Sequence, residues 1–222
     1  MDQDEALEAE TAEGQRPPRL DRAPPASTPS QPLPLEGEGS CVRPATPADL
    51  SAITALYARE VLMGTTTFEL EPPSEAEVAQ RMAAVQAKGL PWLAAEADGA
   101  FAGYAYLSPF RPRPAYRYGV EVSVYVEAAA RGRGVGRALL EALIGEARDR
   151  GLRHLIGAIS DSATSAASIR LHERLGFARA GVYRQVGWKF DRWLDVTLMQ
   201  LDLDPTGAPP VGQGLDLSGG LA

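Results

Sequence analysis

The stretch Arg131-Gly132-Arg133-Gly134-Val135-Gly136-Arg137 decides how the chain folds, because it joins an alternating apolar run, Val120–Val126, to a helix-period segment, Gly136–Arg150. Its glycines let the backbone turn tightly with N–H groups pointing inward. The helix that follows adds the positive end of its dipole. With Arg131, Arg133 and Arg137 around it, the turn is either a cradle for a pyrophosphate or a plain strand-to-helix turn with solvated arginines. Two common phosphate motifs fail on it. A dinucleotide fingerprint needs glycine at 137, where arginine stands, and a P-loop needs GK[ST] at the helix start. The pattern that fits is [QR]-x-x-G-x-[GA], read as Arg131, Gly134 and Gly136.

Working outward, Val120, Val122, Val124 and Val126 alternate with Glu121, Ser123 and Tyr125, the period of a strand. Trp92–Ala97 and Phe101–Ser108 flank Asp98-Gly99, a hairpin signal. Val42-Arg43 reads as a short first strand. Pro47-Ala48-Asp49, behind a Thr46 cap, opens a helix to about Leu62 with Ile53, Leu56, Tyr57 and Val61 as its apolar face. Ser74 and Glu77 form a capping box for a second helix ending near Gly89. Beyond the turn the sequence predicts a strand over Arg153–Ile159 and a helix over about Thr164–Leu175, stopped by Gly176. Strands follow at about Arg179–Lys189 and Trp193–Leu203. Interleaved helices and strands imply a single mixed α/β domain of the α+β type, with a central twisted sheet flanked by helices.

The chain has 222 residues, 45% hydrophobic and 23% charged, with a formal net charge of −7. That charge is uneven. Residues 1–40 hold nine acids and three bases, whereas residues 41–204 hold 19 of each. The expected boundaries are a disordered acidic, Pro-rich tail at 1–40, a domain at 41–204 and a flexible Gly/Pro-rich tail at 205–222. The domain lacks the basic surface a nucleic-acid binder needs. One cysteine, Cys41, excludes an internal disulfide framework. The acidic start is unlike a signal peptide, and no stretch is long and apolar enough to span a bilayer, so the expected location is the cytoplasm.

Glu121 and His172 are the candidate catalytic groups. A carboxylate inside a valine-rich strand is costly unless it faces a wet cleft or a partner. Glu121 is therefore a base with a raised pKa, an exposed outer-face residue, or a partner of Arg117. His172 stands near a helix C-terminus, where it either serves the site or packs and caps the helix. No metal-ligand spacing occurs.

Further motifs fall in order along the chain. Leu171-His172-Glu173-Arg174-Leu175-Gly176-Phe177 looks like the late helix-to-strand motif of the GNAT superfamily of N-acetyltransferases, whose acetyl-CoA signature the glycine turn resembles. Thr67-Phe68, Phe110–Tyr116, Val120–Val126, Gly187-Trp188-Lys189 and Trp193–Val196 resemble its phosphinothricin and methionine sulfoximine acetyltransferase branch. The likeness spans about Val42 to Leu203. It implies acetyl-CoA in a V-shaped opening between the strands at 120–126 and 153–159. The backbone of Val122, Val124 and Val126 would carry the pantetheine arm. Arg131, Gly132, Arg133, Gly134, Val135, Gly136 and Arg137 would carry the pyrophosphate, and Ser165 and Ser168 would touch the coenzyme. It also implies a catalytic carboxylate at Glu121 and His172 near the sulfur, as thiolate acid or as orienter of Glu121. Phe68, Arg113 and Tyr116 would hold a small amino-acid-like acceptor, in a homodimer. The alternatives are a protein N-terminal or lysine acetyltransferase, which would need an open acidic groove, and a non-catalytic acetyl-CoA sensor.

Overall fold

The computed structural model describes residues 33–34, 41–160, 165–210 and 212–217. Asp98 and Gly99 both take positive φ, 53° and 73°, so the first hairpin closes as its sequence predicts, between strands β3 (Trp92–Ala97) and β4 (Ala100–Pro109). β2 (Cys41–Pro44) pairs with β3, and a two-residue strand, β1 (Leu33–Pro34), pairs with β2. β1 falls inside the segment expected to be a tail; residues 1–32 and 35–40 lie outside the described residues. On the other side of β4 come β5 (Gly119–Val126) and β6 (His154–Ser160), then the closing hairpin of β7 (Ala178–Lys189) and β8 (Arg192–Asp202). The sheet order is β1-β2-β3-β4-β5-β6-β8-β7, antiparallel except where β5 and β6 run parallel. The mixed α/β fold class expected from sequence is the one observed.

Alternation along the strands divides the core between the two faces. Helices α1 (Leu50–Met63) and α2 (Glu75–Ala87) cover one face through Ile53, Leu56, Tyr57, Val61, Val78 and Met82, against Trp92, Ala94 and Tyr104. That core is aromatic: Tyr104 stacks on Tyr125 at 4.9 Å, and Tyr57 meets Tyr125 edge-on at 5.3 Å. The opposite face packs on α3 (Val135–Asp149), whose Leu139, Leu140 and Leu143 are fully buried. Each such side chain stabilises the fold by roughly 1.5–3 kcal/mol. A shorter helix, α4 (Ala166–Arg174), adds Ile169 to the same core.

Helix ends differ from expectation where tertiary bonds intervene. Pro47–Asp49 is a tight 3-10 turn ahead of α1. Asp49 binds the Arg43 guanidinium at 2.8 Å and takes the Thr46 N–H, which tightens the first turn. The helix expected from 164 begins at Ala166; residues 161–164 lie outside the described residues. Residues 205–210 and 212–217, expected to be flexible, form no helix or strand but are held to the domain. Arg153 donates to the Ala208 carbonyl at 2.7 Å, Tyr118 to that of Gly212 at 2.7 Å, and Leu215 N–H to that of Arg117 at 2.8 Å.

Candidate active site

The site lies where the parallel pair parts. β5 and β6 are paired only from Gly119–His154 to Val122–Gly157, so beyond Val122 the backbone of β5 loses its neighbour on that side. The other side stays paired to β4 as far as Val126. This is the V-shaped opening expected between the two strands. A cavity of about 340 Å³ fills it, lined by Phe68, Glu121, Val124, Ser165, Ser168 and His172 among others.

The glycine turn stands at the far end of β5. Gly132 and Gly134 take φ of 77° and 85°, and a Cβ on either would meet nothing within 4 Å. Glycine is needed there for its backbone conformation, and the space in front is open. Gly134 caps α3, so the N–H groups of Val135 and Gly136, in its first turn, have no partner inside the helix. Gly136 sits against Val126 and Leu171, which a Cβ would approach to 3.4 and 3.5 Å. The open space and the N-terminal end of the helix fit a pyrophosphate. The arginines are not the free cationic rim the sequence implies. Arg131 binds Glu60 at 2.6 Å and the Val126 carbonyl at 3.3 Å, Arg133 binds Asp98, and Arg137 binds Glu141 at 2.9 Å. Exposed pairs of this kind contribute little, so an arriving anion can compete for them.

Glu121 stands on β5 between Ser108 and Ile156, half-buried on the cavity wall. Burial pushes its carboxyl above the usual glutamate value, and the nearby positive charge of Arg111 offsets part of that. It is not an outer-face residue, and Arg117 is engaged elsewhere, with the Pro114 carbonyl and over the Tyr118 ring at 4.8 Å. His172 is 4% exposed, edge-on to Phe177 at 4.9 Å. Its Nδ1 lies 2.9 Å from the Ser168 carbonyl and must donate to it. Burial lowers its pKa despite that bond and so favours the neutral ring. Nε2, close against Gly157, is then an acceptor. His172 reaches the site with a lone pair rather than a proton to give, which disfavours the acid role.

Ser168 and Ser165 both line the cavity, but the Ser165 hydroxyl donates to the Ser160 carbonyl at 2.6 Å. Phe68 lines it too. Arg113 and Tyr116 do not. Pro112 and Pro114 bend their loop into a 3-10 turn over Pro114–Tyr116, which packs Tyr116 edge-on to Phe110 at 5.6 Å. There Tyr116 borders a second cavity, of about 470 Å³, with His154 and Gln200. The larger space has no buried base among its lining residues, whereas the smaller one has both Glu121 and His172.

Residues that the sequence reading missed hold the Phe68 side of the cleft. The segment after α1 is pinned at several points. Lys189 donates to the Thr67 carbonyl at 2.8 Å, Ser160 donates to that of Thr65, and Thr66 donates to Glu60 at 2.7 Å. Glu69 accepts from Tyr57 at 2.9 Å and from Arg81 at 2.7 Å. Lys189 was visible in principle, because its register places it inward beside exposed Trp188, and a lysine at an inward strand position has a partner to find. No cluster of metal-ligating side chains occurs among the described residues.

Comparison with known proteins agrees with this geometry. The model of the acetyltransferase (GNAT) family matches residues 55–177. The chain is 49% identical over 156 residues to a phosphinothricin N-acetyltransferase of Alcaligenes faecalis, covering 70% of this chain and 79% of that one. It is 45% identical over 173 residues to an L-methionine sulfoximine/L-methionine sulfone acetyltransferase of Pseudomonas paraeruginosa, covering 76% and 98%. A crystal structure of a phosphinothricin acetyltransferase from Sinorhizobium meliloti, in complex with acetyl-CoA, superposes with a TM-score of 0.73 at 43% identity, covering 77% of this chain and 92% of that one. A split parallel pair, a glycine turn at a helix start, and a half-buried carboxylate and a buried histidine on one cavity wall thus stand in a chain that belongs to the GNAT family of acetyltransferases.

Proposed function

We propose that the protein transfers the acetyl group of acetyl-CoA to the amine of a small amino-acid-like acceptor of the phosphinothricin, methionine sulfoximine or methionine sulfone type. The observation that carries this reading is Glu121, a half-buried carboxylate with a raised pKa at the point where the sheet splits. Acetyl-CoA supplies the acetyl group as a thioester, whose C–S bond breaks as the amine's N–C bond forms. The proton leaving nitrogen is the one the thiolate needs, so no outside reagent enters.

The chain's own residues bind and move that proton. The unpaired edge of Val122, Val124 and Val126 suits a pantetheine arm, as an added strand. The N–H groups of the turn from Arg131 to Arg137, with its glycines, suit the pyrophosphate. Glu121 takes the proton from the acceptor, directly or through water. Its raised pKa brings it closer to the working pH, which makes it a better general base than a solvated glutamate. His172, whose Nδ1–H donates to Ser168, accepts a hydrogen bond at Nε2 on the coenzyme side. Arg111, whose charge acts on Glu121, meets the acceptor's acidic group, which suits a guanidinium fork.

The same proposal extends to assembly as a homodimer. Tyr183, Trp188, Phe190 and Trp193, each about half exposed on the β7–β8 hairpin, support it, since large aromatics exposed together on one hairpin favour a partner. A cytoplasmic location is proposed too, in keeping with the one unpaired cysteine; no helix among the described residues is long and apolar enough to cross a membrane.

The test is thiol release from acetyl-CoA with methionine sulfone, methionine sulfoximine, phosphinothricin and ordinary amino acids as acceptors. At least one of the first three should turn over well above the background. Release that no amine accelerates would overturn the reading and leave a coenzyme-binding protein.

A further inference from the structure

Phe68 gains its place on the cavity wall from the strand behind it. β7 and β8 lose register between Tyr183–Val196 and Gly187–Leu194, so that Arg184, Gln185 and Val186 stand opposite Asp195 alone. The bulge is fixed by the Gln185 N–H, which donates to the Asp195 carboxylate at 2.8 Å, with Gln185 at a φ of 51°. It delivers Gly187 directly beneath the Phe68 ring. A Cβ at Gly187 would lie 2.2, 2.6 and 2.7 Å from Cε2, Cζ and Cδ2 of that ring. Gly187 does not take a left-handed φ, so its backbone accepts any residue. Only the ring objects to a side chain.

We propose that Gly187 is a specificity-determining residue: its bare backbone is the shelf on which the Phe68 ring lies, and that shelf sets the room left for the acceptor's side chain. The inference rests on the acceptor site proposed above. The chain on either side of Phe68 is tied down: Lys189 holds the Thr67 carbonyl, the Glu69 N–H donates to the Thr67 hydroxyl at 3.2 Å, and the Glu69 carboxylate is held by Tyr57 and Arg81. A side chain at 187 therefore forces the ring itself to rotate off β7. Phe68 lines the cavity, so a ring lifted from β7 takes volume from it. The coenzyme turn, at the other end of β5, is untouched. Acceptors with long side chains lose most, and short ones least. A change of about one methylene in an enclosed site alters selectivity by roughly 10–200-fold.

The experiment compares kcat/KM for methionine sulfone with that for alanine in wild type, Gly187→Ala, Phe68→Ala and the double variant, with acetyl-CoA affinity by calorimetry alongside. Gly187→Ala should lower the ratio at least 10-fold and leave acetyl-CoA affinity within about two-fold. In the double variant the clash is gone, so its ratio should equal that of Phe68→Ala alone. If Gly187→Ala fails to fold, the double variant still decides the matter, because removal of the ring should restore the melting temperature of Phe68→Ala. A wild-type ratio in Gly187→Ala, or a Gly187→Ala defect that persists without the ring, would overturn the proposal. Absence of amine-dependent release in the wild type would instead overturn the acceptor reading, and this inference with it.

Discussion

At the scale of single residues, the site stores its chemistry as two misplaced ionisable groups. Glu121 holds a proton more tightly folded than unfolded, because burial disfavours its charged form. Between the ordinary glutamate pKa and the raised one, the native state binds more protons than the unfolded chain. Stability therefore falls as pH rises through that window. Glu121→Gln removes the penalty, so the variant should melt above wild type at neutral pH and together with it near pH 4, by calorimetric scans at both values. A lower melting temperature at neutral pH would mean that the carboxylate is held by bonds that stabilise it. His172 runs the other way: its lowered pKa makes protonation destabilising as pH falls below the ordinary histidine range. The face on which Glu121 stands was legible from the alternation of four valines around it. The state of His172 was not. It depends on Phe177 and Gly157, which only the fold brings to the ring. Tyr116 was assigned to the acceptor site by its place in a motif, and two prolines carry it to the neighbouring cavity.

At the scale of elements, the turn before α3 is where a local rule and the function coincide. Gly134 needs a left-handed φ of 85° and faces open space. Gly134→Asp would cost about 1–2 kcal/mol in backbone strain, a sum a packed domain survives. The same change places a negative charge before the helix end proposed to hold the pyrophosphate. Acetyl-CoA affinity by calorimetry should fall at least 10-fold, on the order of 1.4 kcal/mol, in a folded variant. Unchanged affinity would take the turn out of the site. Most elements were legible because hydrophobic period and capping agree, as in the Ser74–Glu77 box that starts α2. The β7 bulge was not, because Arg179–Lys189 alternates well enough to pass for one regular strand, and its break depends on the Asp195 side chain across the hairpin. Nor was β1, a Leu-Pro pair that becomes a strand only because β2 lies beside it.

At the scale of the whole molecule, the sheet is covered unevenly. α1 and α2 close one face over β3 and β4, and α3 closes the other, while the β7–β8 hairpin leaves Trp188 and Trp193 more than half exposed, edge-on to each other at 5.1 Å. Trp193→Glu places a charge in that surface. If a second copy covers it, light scattering should find the wild type at twice the chain mass and the variant at the chain mass, whereas a monomeric wild type would contradict the proposed dimer. The central claim, that this GNAT chain acetylates an amine with Glu121 as base, is tested most directly by pH–rate profiles of wild type and Glu121→Gln with one good acceptor. Turnover of the variant should fall by about 10²–10⁴-fold at neutral pH, the usual scale of a positioned base, and the defect should shrink as pH rises and the free amine becomes common. Near-normal turnover of Glu121→Gln at neutral pH would contradict it.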